Sequence, residues 1–147
     1  IRRDMRAHRK KWNVVLMHKD VLQYRIHGRP ERTEGIDDDN GRVWMPVFDE
    51  LGIDIVFSAH LHTYRNRGHI YGFQKTPDKK GPLYILTGVA GNVRYPNLWI
   101  DHPFDEVTLP QPETDNYLTM DVGRDAIEIA CFLPDGREMD RVKVTKR

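Results

Sequence analysis

Ile53-Asp54-Ile55-Val56-Phe57-Ser58-Ala59-His60-Leu61-His62-Thr63-Tyr64-Arg65 is the stretch that decides the fold. Residues 53–58 are apolar and rich in β-branched side chains, and Gly52 introduces them after a helical pattern, which describes a short buried strand. The apolar run then stops and delivers two histidines one residue apart. In extended backbone, positions i and i+2 point to the same side. His60 and His62 are therefore expected to aim two imidazoles in one direction at the carboxyl end of the strand, where open α/β sheets place their sites. Neutral imidazole is a common ligand for zinc, iron and similar ions. A lone His-x-His also suits a solvated pair, so the neighbouring segments decide.

Upstream, Val43, Pro46, Val47, Phe48 and Leu51 carry the i, i+3, i+4 spacing of an amphipathic helix, with Gly52 at its natural stop. Residues 21–40 are polar and irregular, include Gly28-Arg29-Pro30 and the acidic run Asp37-Asp38-Asp39, and read as a long surface loop. Residues 12–17, Trp-Asn-Val-Val-Leu-Met, form a continuous apolar run, as expected of a central strand covered on both faces. That run ends at His18-Lys19-Asp20. Strand, helix and strand in this order make a crossover unit with parallel strands. Parallel strands place their carboxyl ends on one edge, so His18 is expected beside His60 and His62. Residues 1–11 read as the end of a basic helix whose charges, and His8, face solvent.

Downstream the character changes. Residues 68–73 and 82–87 read as strands joined by a polar turn over 76–81. Gly88-Val89-Ala90-Gly91-Asn92 is a small-residue loop that lets backbone approach something closely, without the spacing of a phosphate-binding P-loop. Residues 92–116 hold four prolines and no periodicity, as a loop around the domain edge would. His69 and His102 fit surface or loop positions. Residues 117–122, 126–133 and 141–145 alternate in polarity, with Pro134-Asp135-Gly136 as a turn, and describe an antiparallel meander.

A chain of 147 residues with 39% hydrophobic and 31% charged residues suits one globular domain. Net charge is +1, and no basic stripe interleaves with aromatics, which argues against nucleic acid and an anionic membrane as partners. No apolar run approaches the roughly 18 residues that span a bilayer. The single cysteine, Cys131, excludes an internal disulfide framework and reads as a small core residue in an alternating run. The first residue is Ile1, inside a helical pattern, which suggests a fragment or a processed product.

Three histidines at the ends of two adjacent parallel strands form a metal-site pattern, because a bound metal needs several converging donors held with little flexibility. Carboxylates should join them to balance the metal's charge, and Asp20 is the acidic residue nearest the strand ends. Three runs then carry a family resemblance: Trp12 to His18, Val56-Phe-Ser-Ala-His60-Leu-His62-Thr-Tyr64-Arg65, and Gly81-Pro-Leu-Tyr-Ile-Leu-Thr-Gly88-Val-Ala-Gly91-Asn92. Together they resemble the C-terminal half of a calcineurin-like metallophosphoesterase. The closest branch is that of the purple acid phosphatases, with a strand ending in His and then a Gly-His-x-His-x-Tyr-x-Arg element. The likeness covers residues 12–147, including the closing strands.

The resemblance implies an α/β fold, the C-terminal half of a four-layer α/β/β/α sandwich. Residues 12–65 would carry the metal ligands on strand, helix and strand, and residues 66–147 would form a mainly β closing sheet. It implies metal-dependent hydrolysis of phosphoesters by a metal-bound hydroxide at two divalent or trivalent ions, iron, zinc or manganese, roughly 3.5–4 Å apart. His18 and His60 would hold one metal and His62 the other. The family's Asp-x-His/Asp, Gly-Asp and Gly-Asn-His elements lie in its N-terminal half, so this chain is expected to be inactive alone and to partner that half. Ala59 stands where the family has glycine, and Lys19-Asp20 departs from its usual residues. His27 lies in the long loop where the branch carries a substrate-contacting His, and is the candidate general acid. Tyr64 and Arg65 match supporting positions. An exposed sheet face is expected to permit self-association, and export is a family tendency. A scaffold that keeps the fold without the chemistry, or a phosphodiesterase, are the rival readings.

Overall fold

In the computed structural model, residues 1–8, 10–88, 95, 98–109 and 115–146 are described. A short helix α1 (Arg2–Ala7) precedes strand β1 (Val14–Leu16), a two-strand ribbon β2 (Leu22–Gln23) and β3 (Gly35–Ile36), helix α2 (Gly41–Leu51) and strand β4 (Ile55–Ser58). Then come β5 (Arg65–Tyr71), β6 (Gln74–Lys75), β7 (Leu83–Leu86) and β8 (Val107–Thr108), followed by β9 (Tyr117–Val122), β10 (Ala126–Phe132) and β11 (Glu138–Thr145). The main sheet runs β1-β4-β7-β5-β6, with β8 paired to β5. β1, β4 and β7 are parallel, and β5 returns antiparallel. The chain is therefore α/β with a mixed sheet, as its sequence leads one to expect.

Period-two alternation explains the layering. On β4 and β7, Ile55, Leu83 and Ile85 face one cluster, completed by Ile127, Ile129, Cys131 and Val144 of the β9-β10-β11 meander. Val56 and Tyr84, on the opposite face, meet Met45 and Phe48 of α2 together with Val21, Leu22 and Tyr24. Both faces of the parallel pair are thus covered, which is why these strands read as unbroken apolar runs. Each fully buried Ile or Leu contributes about 1.5–3 kcal/mol. Three layers result: helix, mixed sheet and antiparallel sheet. Cys131 is fully buried, and burial, with Asp140 nearby, pushes its thiol up to about 12, so it packs as a small hydrophobe.

α2 ends where the sequence stops it. Gly52 sits at φ 65°, ψ 45°, its N–H bonding back to Asp49 O, and nothing lies within 4 Å of the Cβ it lacks. Gly52→Ala is therefore expected to cost only the backbone term, about 1 kcal/mol, read from the midpoint of urea unfolding.

Three expectations are corrected. β1 is the edge of the main sheet among the described residues, not a central strand: Val14 is exposed and Leu16 is 79% exposed. The 21–40 segment is not all surface loop, because Leu22–Gln23 pairs with Gly35–Ile36 and Val21, Leu22 and Tyr24 are buried against Met45 and Phe48 of α2. His69 and His102 are buried rather than superficial. His69 places Nδ1 2.8 Å from Gly81 O. The 88–92 loop lies outside the described residues except for Gly88. That glycine packs against Ala59, whose Cβ would lie 3.1 Å from an added Cβ, so the expected close approach exists at its first residue.

Candidate functional site

Backbone pairing carries the parallel strands past their ends. Met17 N–H donates to Phe57 O (2.9 Å) and Ala59 N–H to His18 O (3.1 Å). This brings the two imidazoles together: His60 Nδ1 lies 3.0 Å from His18 Nε2, with the rings edge to face at 5.0 Å between centroids. The crossover argument from sequence therefore places His18 beside His60 correctly.

The extended-backbone argument for His60 and His62 does not hold. The chain turns at this point: His60 has φ 76° and His62 φ 54°, both left-handed, and Leu61 N–H donates to Ala59 O (3.0 Å). Histidine tolerates this region better than most side chains, at a cost on the order of 1–3 kcal/mol per residue. Through the turn the His62 ring meets Tyr95, centroids 5.3 Å apart. Tyr95 in turn lies edge-on to Trp99, whose indole N–H donates to Leu61 O (3.0 Å).

His60 is shifted toward its neutral form. Partial burial lowers its basicity, and the neighbouring Lys19, His18 and His62 lower it further. Neutral imidazole is the ligand form. The 3.0 Å nitrogen separation also suits two donors on one ion, since bonds of about 2.0–2.1 Å at tetrahedral or octahedral angles put the nitrogens about 3 Å apart. The pair fits two positions of a metal's shell. Among the described residues no three His, Cys, Asp or Glu side chains converge into a metal-holding group, so the rest of a shell is not found there.

Asp20, the nearest carboxylate by sequence, is otherwise engaged. It is buried, accepts from Val21 N–H (2.7 Å) and Ser58 Oγ (3.1 Å), and pairs with Arg67 Nη2. Arg67 Nε and Nη2 also donate to Tyr24 Oη (3.1 and 2.9 Å), which donates to Asp105 Oδ1 (2.8 Å). Arg65 donates to Thr63 Oγ1 (3.2 Å) and pairs with Asp101 and Asp105. Sequence reading missed this network, apart from assigning Arg65 a supporting role. Its signal was two arginines at alternate positions of one strand, which share a face.

His102 stands at its margin, between Tyr24 and Phe104. Phe104 N–H donates to its Nδ1 (3.0 Å), so Nε2 carries the proton and faces Gly35 O (3.3 Å). Burial lowers its basicity, and Arg67 adds to that, against the opposing pull of Asp105, Gly35 O and Glu34. A folded pKa below the unfolded one means that the unfolded chain takes up the proton first as pH falls. Stability should therefore decline as pH drops below about 6.5, and stop declining below the folded value. Urea unfolding between about pH 7 and about pH 5 checks this: His102→Gln should flatten the decline.

His27 is exposed on the loop between β2 and β3. Its N–H donates to Leu98 O (3.0 Å), and Ile26 bridges Trp99, the residue bonded to Leu61 O. The His27 loop is thus fastened to the segment that touches the His60–His62 turn.

No family model matches the chain. Two curated proteins of Arabidopsis thaliana show short similarities: purple acid phosphatase 23, 44% identical over 41 residues, and purple acid phosphatase 13, 34% identical over 65 residues. These stretches cover 28% and 44% of this chain, and 8% and 11% of the two relatives. Over these stretches the chain is similar to purple acid phosphatases. It matches only a small part of the length of those relatives.

Proposed function

We propose that this chain supplies the histidine side of a metal-dependent phosphoester hydrolase, acting on phosphomonoesters. The observation that carries the reading is the His18–His60 pair, nitrogens 3.0 Å apart at the ends of two parallel strands. Similarity to purple acid phosphatases, a hydrolase class, supports it. His18 and His60 would hold one metal ion and His62 a second, both iron, zinc or manganese. Such ions, when bound, polarise a phosphoryl oxygen and make water more acidic. His18 and His60 are exposed, where a substrate can reach them. His27, exposed on the loop fastened to the segment that touches the His60–His62 turn, would protonate the leaving-group oxygen. The exposed apolar edge of β1 suits cover by a further strand of a longer protein, which would bring the remaining ligands, or by a second copy of this chain.

The rival reading is a module that keeps the fold without the chemistry. Plasma mass spectrometry and nitrophenyl phosphate turnover by the full-length protein, with manganese, iron or zinc, separate the two. Bound metal together with turnover supports the hydrolase. A protein free of metal and inert with all three ions overturns it.

A further inference from the structure

We infer that Asp20 and Arg67 are positioning residues that hold the His18–His60 pair in register. The placement is direct. Asp20 is two residues beyond His18 and accepts a hydrogen bond from Ser58 Oγ, two residues before His60. The same carboxylate pairs with Arg67 on β5, the strand that begins just after the His60–His62 turn. Arg65, on the same face, reaches back to Thr63 at the end of that turn. One buried network therefore grips the turn from before and after, and ties it to the end of β1.

Stability alone does not account for this arrangement. Arg67 and the Asp20 side chain are 0% and 4% exposed, and desolvating such a pair usually offsets its attraction, so well-packed apolar side chains would do as well. Arg67 also leaves Nη1 buried with no hydrogen-bond partner, which adds a cost. What the pair does provide is directional: fixed distances between three chain segments. Two left-handed histidine positions, one residue apart, persist only where their surroundings over-determine them. The network supplies that constraint at the place where the imidazoles must meet.

The inference gains its functional meaning from the proposed hydrolase, but its first measurement does not depend on it. In the full-length protein with isotope-labelled histidine, the Asp20→Leu/Arg67→Met double variant should melt close to the parent protein. Its His18 and His60 imidazole nitrogen signals should move to those of unpaired, solvated rings, and zinc affinity should fall about tenfold or more. Unchanged histidine signals in a folded double variant overturn the inference. Should that variant not fold, Ser58→Ala removes only the contact from β4 to Asp20. A shifted His60 signal there upholds the inference, and an unshifted one overturns it. Histidine signals that move in a protein whose parent binds no zinc would uphold the positioning role and sink the hydrolase reading instead.

Discussion

Arg67→Ala lowers the stability of the fold by about 3–5 kcal/mol, measured by urea unfolding. The reason is what the substitution leaves behind. Asp20 stays buried with a charge whose guanidinium partner is gone, and Tyr24 Oη loses two donors. Burial already pushes the Asp20 carboxyl above the usual range, with Arg67 opposing that rise. Without Arg67 that opposition is lost, and the folded-state carboxyl rises further. Its folded pKa then exceeds the unfolded one, so the lost stability is partly regained as pH falls toward the ordinary carboxylate range. Acidification should therefore narrow the gap between Arg67→Ala and the parent protein. Replacing both partners by apolar side chains should leave far less of the loss, because no charge remains buried.

His60→Gly should lower zinc affinity and phosphatase turnover of the full-length protein at least about 100-fold, since a direct ligand counts for more than the outer-shell groups worth about 10–100-fold. The same substitution should leave stability unchanged or raise it by about 1 kcal/mol, because glycine adopts φ 76° without the penalty histidine carries. A variant that is no less stable yet inactive is the signature of a side chain kept for function at a conformational cost. His60→Gly that unfolds readily, or that retains metal and turnover, would contradict the assignment. Calorimetric zinc titration and thermal melting, run on the same preparation, decide between these outcomes.

Much of the architecture was legible because it follows from periodicity. The apolar runs of β1 and β4, with an amphipathic helix between them, state the parallel crossover, and the alternation of β9, β10 and β11 states the meander. The position of β1 was not legible. An apolar run shows that a strand can be covered on both faces, not what covers it, and Leu16 is 79% exposed. The meeting of His18 with His60 followed from strand direction alone. The direction of His62 did not, because the two-residue period was carried one step beyond Ser58, where the strand ends and the backbone turns left-handed.

The buried polar network was hidden for a different reason. Arginine and aspartate are exposed far more often than not, so nothing in Arg67 or Asp105 taken singly points to the interior. Only their pairing makes burial tolerable, and the partners are separated by up to 47 positions, between Asp20 and Arg67. His102 was misread on the same ground. Its burial depends on Tyr24 and Gly35 O, both distant in sequence. Local pattern finds groups on one strand or one helix, whereas these contacts depend on how the elements pack.

The most direct measurement is anomalous X-ray diffraction from crystals of the full-length protein grown with zinc. A metal peak within about 2.1 Å of both His18 Nε2 and His60 Nδ1 is the expected result. A fully zinc-loaded crystal whose peaks lie elsewhere, with the two imidazoles still bonded to each other, would contradict it.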